Sequence, residues 1–190
     1  MALKLLSGDR RTTEYKSWNA WLKAASKLVA QFDEDLEDDP FAYNETASVS
    51  LLAAAAAKAG YLGIAEFSTV KGHKADRRRA ANGRCDFWMT DVDRSWGFEF
   101  KQLRPDYASD ALWLTGMDGA RACARRLRSS AADLRVAGLI VSLYWQEGAV
   151  LQQSRENLRR LARECDYAWE LPASGEHTGD TFFFFEPIRR

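Results

Sequence analysis

The chain has 190 residues, 46% of them hydrophobic and 12% aromatic, with 27 Lys+Arg against 27 Asp+Glu. That is enough apolar material for a single core and excludes wholesale disorder. No run approaches the ~18–20 apolar residues of a membrane span, and three scattered cysteines, Cys85, Cys123 and Cys165, suit neither a disulfide framework nor a zinc knuckle.

In chain order, Met1 to Arg11 holds a short apolar patch without a small-residue cleavage site, so the expected location is the cytoplasm. A helix is predicted over 12–32, where Tyr15, Trp18, Leu22, Ala25, Val29 and Phe32 recur at spacings of three and four. It is expected to stop in the stretch Asp33 to Pro40, whose six carboxylates in seven residues read as a solvated loop. A second helix is predicted from Asn44, a good N-cap, to Gly60, and its Ala-rich interior marks it as buried. Tyr61 to Phe67 reads as a short strand, and Lys71 to Arg79 as a basic loop or irregular helix.

Arg84 to Thr90 and Trp96 to Leu103 alternate and flank the turn-like Asp91 to Ser95, which predicts an antiparallel hairpin. Asp110 to Ser129 has a helical pattern weakened by Gly116 and Gly119, and Val136 to Trp145 is the apolar run of a central strand. Ser154 to Cys165 is predicted helical with Ser154 as its N-cap and Leu158 and Leu161 inward, and Tyr167 to Leu171 and Thr181 to Ile188 are read as edge strands. The expected product is one α/β domain over 1–190, a mixed central β-sheet flanked by α-helices.

The chemistry concentrates in the hairpin. Side chains alternate along a strand, so Glu99 and Lys101 share one face while Phe98 and Phe100 share the other. Hairpin pairing can bring Asp86 beside Glu99, and two adjacent carboxylates repel unless a cation joins them. Hard oxygen ligands favour Mg²⁺ or Mn²⁺. A neighbouring lysine can orient or deprotonate a water and stabilise charge on a phosphate. The same residues also suit a solvated strand face carrying a cross-strand ion pair to Arg84 or Asp86.

An Asp on one strand and Glu-x-Lys on the next, here Gly83-Arg84-Cys85-Asp86 and Phe98-Glu99-Phe100-Lys101, resembles the PD-(D/E)XK nuclease superfamily, of restriction-endonuclease-like fold. The resemblance covers about 44–145, read as a helix, a three-stranded meander, a helix and a fourth strand. The helix 12–32 and the extension 146–190 lie outside it. Cys85 stands where many members have a proline. The resemblance implies that Asp86 and Glu99 bind Mg²⁺ (or Mn²⁺), with the Phe100 carbonyl as a further ligand, and that Lys101 positions the attacking water. It carries to Glu45 the role of an additional metal-binding and catalytic glutamate from the first core helix. The implied function is metal-dependent hydrolysis of DNA. The alternative is a non-catalytic module of the same fold that binds nucleic acid or a partner protein, and a purely structural or interaction role, with the acidic stretch Asp33 to Asp39 in front, is a third reading. RNA stays open as a substrate and a homodimer as an assembly.

The neutral total hides polarity that bears on this. Residues 1–70 carry 7 basic and 10 acidic side chains, residues 71–135 carry 14 and 9, and residues 136–190 carry 6 and 8. Lys71, Lys74, Arg77, Arg78, Arg79 and Arg84 run into the strand bearing Asp86, and Arg125 and Arg126 add charge further on. Cations that neutralise phosphates supply most non-specific affinity for DNA, so these are the predicted nucleic-acid contacts. Trp88, Trp96 and Trp113 are candidates for base stacking or, more ordinarily, for the core. No phosphate-binding glycine loop occurs, and His73 and His177 are isolated.

Overall fold

The computed structural model describes residues 2–72 and 80–189. Strand β1 (Lys4–Ser7) is followed by helices α1 (Thr13–Leu36) and α2 (Glu45–Lys58), and then by the strands β2 (Leu62–Gly72), β3 (Ala80–Thr90) and β4 (Ser95–Leu103). Helix α3 (Asp110–Ala124), strand β5 (Leu134–Ser142), helix α4 (Gly148–Leu161), a short 3₁₀ turn and strands β6 (Tyr167–Leu171) and β7 (Thr181–Pro187) complete the chain. The seven strands form one mixed sheet in the order β1-β6-β7-β5-β4-β3-β2. β2, β3 and β4 make an antiparallel meander, and β5 returns parallel to β4 after the α3 crossover. Among the described residues no helix is long and apolar enough to cross a membrane.

Period-two alternation explains the two-sided core. In β7, Phe183 and Phe185 face α1 and α2 together with Trp18, Trp21 and Leu52, while Phe182 and Phe184 face α3 and α4 with Trp113, Met117 and Leu158. Phe98 and Phe100 fall on the α1/α2 side, as the alternation requires. Central β5 is buried on both faces, and Gly116 lets α3 approach it: a Cβ there would lie 2.8 Å from Leu139 Cδ1. The glycine that looked like a helix weakness is therefore a packing contact.

Several expectations need correction. The acidic stretch is no solvated loop. Helix α1 continues to Leu36 and closes at Glu37 in the left-handed region (φ 55°). Asp39 is fully buried and accepts from the amides of Phe41 (2.7 Å) and Gly179 (2.8 Å), and Asp33 accepts from the amide of His177 (2.9 Å). Amide donors thus offset part of the repulsion that the charge run suggested. Burial still raises the Asp39 carboxyl above its ordinary range. α4 starts six residues before Ser154, which is buried within the helix and accepts from the Ala108 amide at 3.1 Å. Its helical pattern had too few apolar positions in the first turns to mark the start. β6 and β7 are interior strands, and the edges are β1 and β2. β2 runs to Gly72, five residues past the predicted end, and α3 stops at Ala124 rather than Ser129.

Candidate active site

Helix α2 delivers the first site residue. Asn44 caps it by accepting from the Ala47 amide at 2.9 Å, which fixes Glu45 in the first turn. The hairpin delivers the others. Its ladder runs from Thr90–Ser95 to Phe87–Phe98, where the pairing ends; Asp86 and Glu99 are the next residues of the two strands. There the Asp86 carboxylate takes over a backbone partner: the Phe100 amide donates to its Oδ2 at 2.7 Å. The Lys101 ammonium donates to the Phe100 carbonyl at 2.7 Å and stands 3.4 Å from both oxygens of Glu45. Asp86, Phe100, Lys101 and Glu45 are therefore one connected group.

Glu99 lies on the opposite face from Phe98 and Phe100 and is 2% exposed. Its partner is Lys71 of β2, whose ammonium donates to Oε2 at 2.8 Å and lies 2.7 Å from Oε1. Oε1 receives no bond of proper hydrogen-bond direction. Sequence reasoning placed Lys71 among phosphate contacts and missed this pairing. The pairing depends on β2 continuing past Phe67, which brings Lys71 over Gly83. Arg84 is exposed and pairs with Glu66 at 3.1 Å. Glu66 stands opposite Asp86 with a left-handed backbone (φ 54°), an uncommon state for a non-glycine residue, and its charge adds to the repulsion on Asp86. The predicted contacts Lys74, Arg77, Arg78 and Arg79 lie outside the described residues. Trp96 and Trp113 are buried, and Trp88 is held by a bond to the Ala131 carbonyl (3.1 Å) and a stack on Phe67, so all three serve packing.

The electrostatics follow from crowding carboxylates in a partly closed place. Burial, and then the charge of Asp86, push Glu99 up to about 7 despite Lys71. Burial also raises Asp86, offset in part by the Phe100 amide and the lysines. Glu45 is raised by burial, against the pull of Lys101. Burial would lower Lys101, but Glu45 and Asp86 outweigh it and hold the ammonium above its usual range. At neutral pH Lys101 is thus a cation that donates, not a base.

The donor types are those a hard divalent ion takes: the Asp86 carboxylate, whose charge raises both Glu45 and Glu99, and a buried oxygen, Glu99 Oε1, without a directed partner. In the present arrangement two ammonium groups occupy the Glu99 and Glu45 oxygens, and among the described residues no three acidic, histidine or cysteine side chains are grouped so as to hold a metal ion. Comparison with family models, curated proteins and solved structures returned no match.

Proposed function

We propose that this protein is a metal-dependent phosphodiesterase acting on DNA, with the fold and site of a restriction-endonuclease-like nuclease. The observation that carries the reading is the chain of contacts through Phe100, whose amide donates to Asp86 and whose carbonyl accepts from Lys101, with Glu45 on the Lys101 ammonium and Glu99 one residue away. The element order α2, β2-β3-β4 meander, α3, β5 parallel to β4 supports it. Asp86 and Glu99 would hold Mg²⁺, with the Phe100 carbonyl, which accepts from Lys101, as a further donor. The metal ion supplies Lewis-acid polarisation of the phosphate and a more acidic bound water. Lys101 donates to the attacking water or to a phosphate oxygen, and Glu45 keeps that ammonium charged and aimed. The water oxygen bonds to phosphorus as the P–O ester bond breaks, the water's proton leaves to solvent, and the departing oxygen takes a proton from solvent. The low exposure around Glu99 strengthens every interaction made there.

Plasmid and oligonucleotide cleavage with Mg²⁺, Mn²⁺ or EDTA tests this. Metal-dependent cleavage should fall by roughly 10²–10³ in Lys101→Ala, the usual loss on removing one preorganised donor to a developing charge. Absence of cleavage by the wild type, or equal cleavage by the variant, would sink the reading. Salt-dependent DNA binding without cleavage would instead identify a binding module.

A further inference from the structure

The Lys71–Glu99 pair has a feature that an ordinary buried ion pair lacks: it closes a carboxylate that the proposed function needs open, and the inference drawn from it rests on that function. The two side chains are 12% and 2% exposed. The lysine's backbone is fixed from both sides. Lys71 pairs with Ala81 in the β2–β3 ladder and bridges Leu127. The next residue, Gly72, donates to the Arg126 carbonyl at 2.8 Å, and Arg126 Nε donates to the Gly72 carbonyl at 3.1 Å. Its aliphatic stem crosses Gly83, where any Cβ would come within 2.8 Å of Lys71 Cδ. The strand therefore stays in place, and only the side chain can swing.

A divalent ion and an ammonium on the same carboxylate repel strongly, because charges at contact distance interact by several kcal/mol in a partly buried setting. We propose that Lys71 is a resident counter-ion of Glu99 that the metal must displace. The displaced ammonium, tethered within one side-chain length of the site, takes a phosphate oxygen of the nucleic acid as its new partner. Metal and nucleic acid then bind cooperatively. The nucleic acid draws off the ammonium that keeps the metal out, and the metal frees the ammonium for the phosphate; such coupling is reciprocal. Without nucleic acid, Glu99 stays paired with its own lysine and the site takes the metal only weakly.

The test is calorimetric titration of Mn²⁺ into the full chain, with and without a hydrolysis-resistant phosphorothioate DNA duplex. Wild type should bind Mn²⁺ weakly alone and roughly tenfold tighter with the duplex, a coupling of ordinary allosteric size. Lys71→Met should bind Mn²⁺ alone roughly tenfold tighter than wild type and gain little from the duplex, since the coupling element is gone. Binding by Lys71→Met no tighter than wild type, or no gain from the duplex in wild type, overturns the counter-ion role. Glu99→Gln separates the two readings. If Mn²⁺ binding does not depend on Glu99, or no protein binds Mn²⁺, the metal-site reading itself fails; Glu99-dependent binding without gain in Lys71→Met removes the counter-ion role alone. Should Lys71→Met not fold, the wild type still decides through its ¹⁵N lysine ammonium resonances, with Lys71 assigned by Lys71→Arg. A protected Lys71 signal that leaves its Glu99-paired position on adding Mg²⁺ and duplex together supports the displacement, and one that stays unmoved refutes it.

Discussion

Two glutamates of the same sheet are almost equally buried and electrostatically opposite. Glu170 on β6 is 1% exposed and Glu99 on β4 is 2% exposed. Glu170 sits in the fork of Arg159, with both bonds at 2.7 Å, and takes a third from Lys4 at 3.1 Å. Burial alone would raise its carboxyl, yet Arg159 and Lys4 hold it below the ordinary range. Glu99 has one lysine, one oxygen without a directed bond and a like charge nearby, and it is pushed up to about 7. Burial raises both carboxyls, and their donors decide whether it is outweighed: the bonds from Arg159 and Lys4 pull Glu170 down, while the single lysine of Glu99 leaves it raised. A site left short of donors beside another carboxylate costs stability, and such a site is where a ligand has something to complete.

The largest expected effect separates the two in chemistry. Glu99→Gln should lower Mg²⁺-dependent cleavage by about 10² or more, whereas Glu170→Gln should leave the rate within about twofold, as measured at saturating oligonucleotide. Equal losses would erase the distinction. The next effect is on stability and runs the other way. Arg159→Ala leaves Glu170 with Lys4 alone and should cost about 1–2 kcal/mol in urea unfolding, below the range for a fully buried pair because the Arg159 side chain is 41% exposed. Glu99→Gln should cost under about 1 kcal/mol, because a neutral amide relieves the repulsion from Asp86 while losing Lys71.

The smallest effect is in pH dependence, read from melting temperatures in EDTA. Glu99 has its folded value raised to about 7 from 4.5. Its contribution is full below about pH 4.5 and is lost as pH rises through 7. Wild type should thus lose roughly 3–6 °C relative to Glu99→Gln between pH 5 and 8. Glu170 has a lowered value, so its contribution is present above 4.5 and is lost on acidification. Relative to Glu170→Gln, wild type should therefore lose stability below about pH 4.5, with no trend between 6 and 8. Slopes of the same sign in both comparisons would contradict the contrast.

Local pattern made much of this legible. The Asn44 cap, the hairpin, the two-sided strand β5 and the facing of Phe98 and Phe100 away from Glu99 all follow from spacing and turn chemistry. So did the grouping of Asp86, Lys101 and Glu45, though the last came through resemblance rather than pattern. What pattern missed has a common cause. The start of α4 and the interior place of β6 and β7 depend on partners far along the chain, as does the burial of Asp39 under the Gly179 amide. A run of carboxylates looks solvated until distant amides are folded onto it.

The segment charges return with a different meaning. By itself the sequence determined that a basic middle adjoins an acidic pair on a hairpin, because hydrophobic alternation and turns act within a few residues. Only the tertiary structure decided what one of those cations does. Lys71 is 28 residues from Glu99, and nothing local links them. The twist of β2 over Gly83 and its anchorage on Arg126 and Leu127 bring the ammonium onto the carboxylate, since a charge buried at Glu99 must find a counter-charge wherever the fold can supply one.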